Sequence, residues 1–378
     1  MFKKFIHFIE AQIDAFKYGL WRLIGVSDPL QIKCYTGYGN HSTLRVGGRV
    51  LQLKNLSKTG ASDSAWKNFV NVVKNWFTDE VPAARIEVRF QDFHSRIITD
   101  EEGYFEIEIP LETISSDASM WHEVELTLLE PRDQEIVTAQ AVAQIPERGS
   151  EFGIISDIDD TVIFTGATSI LQMVKNTLLG NAHTRVVFNG VSALYAALAR
   201  GKDGRGRNPF FYVTSSPWNL YDLILQIFEL RSIPRGTLFM TDWGIDNQKF
   251  FTSGHHRHKK GAIIDILEFY PDLNFILIGD SGQEDPEIYS DILSHYPDRI
   301  LAIYIRDVTT GARDEVLSKL VERASKTGTD LVFAEESFQI AEHAVSKGYI
   351  RRSEIPAIVG QQQSDRQEAV EEGADPLE

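Results

Sequence analysis

The chain has 378 residues, 43% of them hydrophobic and 24% charged, with a formal net charge of −16. That length allows roughly two or three domains with packed cores. The negative balance excludes broad binding to nucleic acid, whose phosphate backbone needs lysine- and arginine-rich faces, and it argues against general adhesion to anionic membranes.

The first 28 residues carry Phe5, Phe8, Ile9, Ile13, Phe16, Leu20, Leu23 and Ile24 at spacings of three and four, the pattern of an amphipathic helix. Lys3, Lys4, Lys17 and Arg22 sit among them. Two readings stand: an interfacial helix giving peripheral membrane contact, or a helix docked on the protein's own body. Glu10 and Asp14 interrupt the apolar run, so it does not read as a signal peptide, and no apolar run in the chain reaches membrane-spanning length. The one cysteine, Cys34, reads as a buried small hydrophobe and suits a reducing, cytosolic setting.

Residues 29–148 are mostly β in pattern. LRVGGRVLQL, RIEVRF, YFEIEIP, WHEVELTLLE and EIVTAQAVAQI alternate or carry β-branched residues. In YFEIEIP, Phe105, Ile107 and Ile109 point one way and Glu106 and Glu108 the other, after a turn at Asp100-Glu101-Glu102-Gly103. Half-buried strands of this kind predict a small antiparallel β-sandwich. The segment SAWKNFVNVVKNWF reads as a helical insertion.

Pro146-Glu147-Arg148-Gly149-Ser150 reads as a linker, after which the pattern changes. Continuous apolar strands (FGIIS, PFFYVTS, NFILIG, LAIYIR) alternate with helical segments (VSALYAALAR, LYDLILQIFEL, GAIIDILEFY) over 149–360. That alternation predicts an α/β domain, a Rossmann-like parallel sheet with helices on both faces. Residues 361–378 are polar and acidic and read as a disordered tail.

In the stretch FGIISDIDDTVIFTG an apolar strand ends in three aspartates within four positions. In an open α/β sheet, ligands sit beyond the carboxyl ends of the strands. Asp157 ends the first strand of this domain, Thr214-Ser215-Ser216 follow FFYV, and Gly279-Asp280-Ser281 follow NFILI. Brought together, Asp157, Asp159 and Asp280 would repel one another unless positive charge lay between them. An all-oxygen set suits Mg²⁺, which binds through one or two carboxylates plus phosphate. Lys259, at the expected start of GAIIDILEFY, offers a counter-charge, and Asp157 could then attack phosphorus to form an aspartyl-phosphate. Lys260 competes with Lys259, and Ser215 with Thr214. The plainer readings are a turn with helix-capping aspartates for DIDDT and a solvated loop for His255, His256 and His258.

Asp157-Ile158-Asp159-Asp160-Thr161 resembles the DxDxT motif of the haloacid dehalogenase superfamily of phosphatases. More closely, DIDDT, YVTSSPWNLYD, HKKGAI and LIGDSGQEDPEIY are similar to the catalytic domain of the actin-patch phosphatidate phosphatase family, over about residues 150–350. TDEEGYFEIEIP resembles the turn–strand signature of transthyretin-like sandwiches. The phosphatase resemblance implies a haloacid-dehalogenase-like fold, with Asp157 as nucleophile and Mg²⁺ ligand and Asp159 as acid and base whose main-chain carbonyl also ligates Mg²⁺. It implies that Thr214 and Lys259 bind the phosphoryl group and that Asp280 and Asp285 complete the metal site. The intervals Thr161–Phe210 and Ser216–Lys259 are too short for a full cap domain, so a minimal cap and an open site are expected. An open site suits a phosphate presented at a surface, phosphatidate by resemblance, with Trp218, Trp243, Phe250 and Phe251 near the mouth. Rival substrates are another lipid, a protein or a sugar phosphate. The rival class is a module that binds anionic lipid or a protein partner without turnover. Oligomeric state is not legible.

Overall fold

The computed structural model describes residues 29–52, 79–112, 119–131, 136–159, 161–162, 188–241, 254–306 and 314–371. The expected N-terminal helix, the helical insertion at 64–77, and Asp242, Trp243, Asp246, Phe250 and Phe251 lie outside these residues. The chain divides into two compact units, the first ending at Ile145 and the second running from Pro146.

The first unit is built from β1 (Leu30–Cys34), β2 (Gly37–Gly39), β3 (Thr43–Gln52), β4 (Asp79–Glu80), β5 (Arg85–Phe90), β6 (Phe93–Ile98), β7 (Tyr104–Pro110), β8 (Trp121–Glu130) and β9 (Thr138–Gln144). Every pairing is antiparallel except β2 with β9. The alternation read from the sequence is the alternation of burial: Phe105, Ile107 and Ile109 are buried on β7 while Glu106 and Glu108 are exposed. Asp100 builds the turn before β7. Its Oδ1 accepts the N–H groups of Glu102 and Tyr104 at 2.9 and 2.8 Å, and Gly103 takes φ +77°, where a side chain would be strained. The pairings join all nine strands into one hydrogen-bonded sheet, with the path β1-β3-β2-β9-β8-β5-β6 and β4 and β7 both on β3. The ten-residue β3 ties this network together by pairing with four other strands.

The second unit contains β10 (Gly153–Asp157), β11 (Phe210–Pro217), β12 (Thr237–Thr241), β13 (Phe275–Asp280), β14 (Ile300–Arg306) and β15 (Asp330–Ala334). Its described helices are α1 (Val191–Arg200), α2 (Tyr221–Leu230), α3 (Gly254–Phe269), α4 (Asp285–His295), α5 (Asp314–Thr327), α6 (Ser337–Lys347) and α7 (Ile355–Glu371). All strand pairs are parallel, in the order β12-β11-β10-β13-β14-β15. The apolar strands do not alternate because helices cover both faces: every residue of β10 and β13 is buried. Numbered from β10, this is the doubly wound order 3-2-1-4-5-6, whose direction of winding reverses between β10 and β13. In a sheet of this order the switch point is where a ligand crevice is expected, at the carboxyl ends of the strands.

Two expected boundaries change. The histidine run falls within α3, which begins at Gly254, so Lys259 lies in the second turn rather than at the helix start. Histidine is a poor helix former and gives no capping signal, so the sequence hid this boundary. The expected disordered tail from 361 instead continues α7 as far as Glu371. Two of its polar residues meet particular partners: Gln362 donates to Glu336 Oε2 at 2.6 Å, and Asp365 Oδ2 accepts the N–H of Gly190 at 2.7 Å. Composition alone cannot reveal such pairings.

Candidate active site

Ser156 on β10 pairs in register with Ile278 on β13, which sets Asp157 beside Gly279 and Asp280 at the switch point. On the other side Asp157 pairs with Val213, one residue before Thr214. Asp157, Asp159, Thr161, Thr214, Lys259, Asp280 and Asp285 are all buried. Burying this many charges is costly unless they are paired and hydrogen-bonded, and here one buried lysine and several N–H and O–H donors offset part of that cost.

Lys259 lies at the centre. Its Nζ is 2.6 Å from Asp157 Oδ1 and 3.2 Å from Asp285 Oδ1, and donates to Gln283 Oε1 at 3.3 Å. The spacing of α3 explains why Lys259 and not Lys260 enters the site. Lys259 shares a stripe with the buried Ala262, Ile263, Ile266 and Leu267, whereas Lys260 points off that stripe and pairs with Asp291 at 3.0 Å. Strand alternation separates Thr214 from Ser215 in the same way. Thr214 and Ser216 on β11 are buried and face Asp159, while Ser215 points the other way and is half-buried. Thr214 Oγ1 donates to Asp159 Oδ2 at 2.5 Å and accepts the N–H of Ser216 at 2.9 Å, and Ser216 Oγ lies 3.5 Å from Asp159 Oδ1. Thr161 Oγ1 donates to Asp157 Oδ2 at 3.3 Å.

The loop after β13 is wound around Asp280, whose Oδ1 accepts the N–H groups of Gly282 (2.6 Å) and Gln283 (2.8 Å). Asp285 opens α4, where a carboxylate is favoured by the helix dipole. Its Oδ2 turns back to accept the N–H of Asp280 at 3.1 Å. This return requires Gly279: a Cβ there would stand 2.4 Å from Asp285 Oδ2 and 2.7 Å from Tyr289 Oη. Carboxylate oxygens of Asp157, Asp280 and Asp285 lie within 4.8 Å of one another, a set that could hold a metal ion. Asp280 Oδ2 is buried and accepts no hydrogen bond among the described residues, so one hard oxygen donor in the cluster remains open to a cation.

The electrostatics match this crowding. Burial and the charge of Asp285 push the Asp157 carboxyl well above the usual carboxylate range, against the pull of Lys259. Burial and Asp285 push Asp280 up to about 7, although the N–H groups of Gln283 and Gly282 favour its ionised form. Burial alone would favour a neutral Lys259, but Asp157 and Asp285 outweigh it and hold the ammonium above the usual lysine range.

The structure therefore brings Asp157, Asp159, Thr214, Lys259, Asp280 and Asp285 into one cluster. The Asp159 carboxylate is directed at Thr214 and Ser216, so a part for Asp159 at the metal would run through its main-chain carbonyl. Trp218 is half-buried in the turn that follows β11, its ring 5.9 Å from Tyr221. Sequence reasoning gave no part to Ser216, Thr161 or Gln283. The alternation of β11 was a signal for Ser216; Gln283 lies within the quoted LIGDSGQEDPEIY stretch, but nothing there indicated the partners of its side chain.

Comparison with known proteins points to the same region. Residues 152–307 match the family model for the catalytic domain of phosphatidate phosphatase APP1. Phosphatidate phosphatase APP1 of Saccharomyces cerevisiae is 33% identical over 163 residues, 43% of this chain and 27% of that protein. An uncharacterized protein of Schizosaccharomyces pombe is 27% identical over 242 residues, 61% of this chain and 38% of that protein. The chain thus spans well under half the length of these curated relatives. Among solved structures, a carbohydrate acetylesterase from Xanthomonas citri aligns over 81% of this chain and 68% of its own, at 10% identity and a TM-score of 0.31. Residues 152–307, which carry every member of the buried cluster, are thus similar to the catalytic domain of phosphatidate phosphatase APP1.

Proposed function

We propose that the chain is a Mg²⁺-dependent phosphomonoester hydrolase that works through an aspartyl-phosphate on Asp157, with phosphatidate as the substrate. One observation carries the reading: a buried lysine sits 2.6 Å from the carboxylate ending the first strand of a doubly wound sheet, with two further carboxylates alongside at the switch point. That is a site for a dianion beside a nucleophile. The substrate assignment rests on the similarity of residues 152–307 to the catalytic domain of phosphatidate phosphatase APP1.

In this reading the Asp157 carboxylate attacks phosphorus and the bond from phosphorus to the alkoxide breaks. Asp159 gives the alkoxide a proton, then takes one from the water that hydrolyses the acyl phosphate. Lys259 and Thr214 stabilise the charge on the transferring phosphoryl group. Asp157, the Asp159 carbonyl, Asp280 and Asp285 would hold Mg²⁺, which supplies positive charge that keeps the carboxylates ionised and offsets the phosphoryl oxygens. The test is phosphate release from phosphatidate vesicles against a panel of soluble phosphomonoesters, with Asp157→Asn as control. Turnover of phosphatidate, lost in the variant while vesicle binding persists, is the expected result. Preference for a soluble ester moves the substrate assignment, and no release from any ester by the unmodified chain overturns the enzyme.

A further inference from the structure

Gln283 has no part in the chemistry above, yet its side-chain amide touches both halves of it. Its Nε2 donates to the main-chain carbonyl of Asp159 at 3.0 Å, and its Oε1 accepts from Lys259 Nζ at 3.3 Å. Its own N–H is bound by Asp280 Oδ1 at 2.8 Å, which fixes where the side chain starts. The amide orientation is unambiguous, because an ammonium can only donate and a carbonyl can only accept. From the geometry we infer that Gln283 is a positioning residue for Asp159: it anchors the main chain at Asp159 and thereby holds the Asp159 carboxyl against Thr214, where it can protonate the leaving alkoxide. The inference rests on the phosphatase reading above.

Magnitudes separate this from a role through Lys259. The ammonium keeps two charge-assisted contacts, at 2.6 and 3.2 Å, when the longer neutral contact to Gln283 is removed. The Asp159 carboxyl instead is placed by a main chain two residues beyond the end of β10, and removing the Gln283 bond to that main chain lets the carboxyl shift against Thr214. The carbonyl has two lone pairs, so the bond from Gln283 leaves one for a cation.

The test uses leaving-group dependence. A general acid matters for an alkoxide, a poor leaving group, and little for p-nitrophenolate, which departs without a proton. Two variants are compared with the full-length unmodified chain. Gln283→Met loses both contacts, whereas Gln283→Glu can still accept from Lys259 but cannot donate to the Asp159 carbonyl. Thermal melts check that each variant is folded. The value compared is kcat/KM, which reports the phosphoryl-transfer step free of the later hydrolysis. For a short-chain phosphatidate it should fall on the order of 10- to 100-fold in both variants, and for p-nitrophenyl phosphate less than about threefold. Equal losses on the two esters, or a loss in Gln283→Met alone, overturn the inference and leave the phosphatase reading standing. Failure of the unmodified chain to hydrolyse either ester overturns that reading and the inference with it.

Discussion

Replacing Lys259 by methionine removes one positive charge from between two buried carboxylates while keeping most of the side-chain volume. Asp157 Oδ1 at 2.6 Å and Asp285 Oδ1 at 3.2 Å lose their counter-ion together. Removing one partner of a buried ion pair costs about 3–5 kcal/mol, because the charge left behind is neither hydrated nor paired. The loss should depend on pH. Asp157 and Asp280 are already pushed toward their protonated forms, so at acid pH the cluster takes up protons and sheds its excess charge. The full loss is expected at pH 8 without metal, and about 1–2 kcal/mol at pH 5.5. For a unit of this size, 3–5 kcal/mol corresponds to a fall in Tm of roughly 6–20 °C. Urea and thermal unfolding in EDTA at the two pH values measure it. The double variant Lys259→Met, Asp157→Asn should recover on the order of 1–3 kcal/mol relative to additivity, since the stranded charge is gone. Equal losses at both pH values, or strict additivity, would refute the electrostatic account and leave only a packing defect.

Thr214→Val removes the hydroxyl that donates to Asp159 at 2.5 Å; phosphate-release kinetics should show kcat reduced roughly 10²- to 10³-fold, with Thr214→Ser retaining most of it. Gly279→Ala drives a methyl group at Asp285 Oδ2, 2.4 Å away, and should cost about 1–3 kcal/mol in urea unfolding and weaken Mg²⁺ binding by titration calorimetry. Proton competition gives a third outcome. The folded value of Asp280, about 7, lies above its unfolded value, so its contribution to stability is present below about pH 4 and is lost as pH rises through 7. A bound cation favours the ionised form instead, so the rise in Tm produced by Mg²⁺ should be larger at pH 8 than at pH 5.5, as differential scanning calorimetry can measure.

The strands and their ends were legible because they obey short-range rules. Asp157 is announced by an apolar run that stops at charge, and Asp280 by the same signal. Between Lys259 and Lys260 the sequence left a choice, because the start of α3 is masked by its histidines; the buried stripe from Lys259 to Leu267 makes the selection only once the helix is drawn back to Gly254. Thr214 and Ser215 differ only in which side of β11 they take, and a register shift between Val213 and Pro217 blurs that reading. The contacts of Gln283 were hidden for a different reason: a glutamine in a loop has no periodicity, and its partner at Asp159 lies 124 positions away. In the first unit, alternation gave each strand its faces but said nothing about partners, and pairing decides whether two sheets form or one.

The central place of β10 in its sheet has a bearing on how the molecule comes into being. Asp157 leaves the ribosome long before Asp280 and Asp285, and β13 must dock on β10 before they meet. Closing so long a loop is entropically demanding. An emerging chain truncated ahead of β13 therefore has Asp157, Thr214 and Lys259 but neither Asp280 nor Asp285, and activity should arrive only when the last of the centre is threaded home.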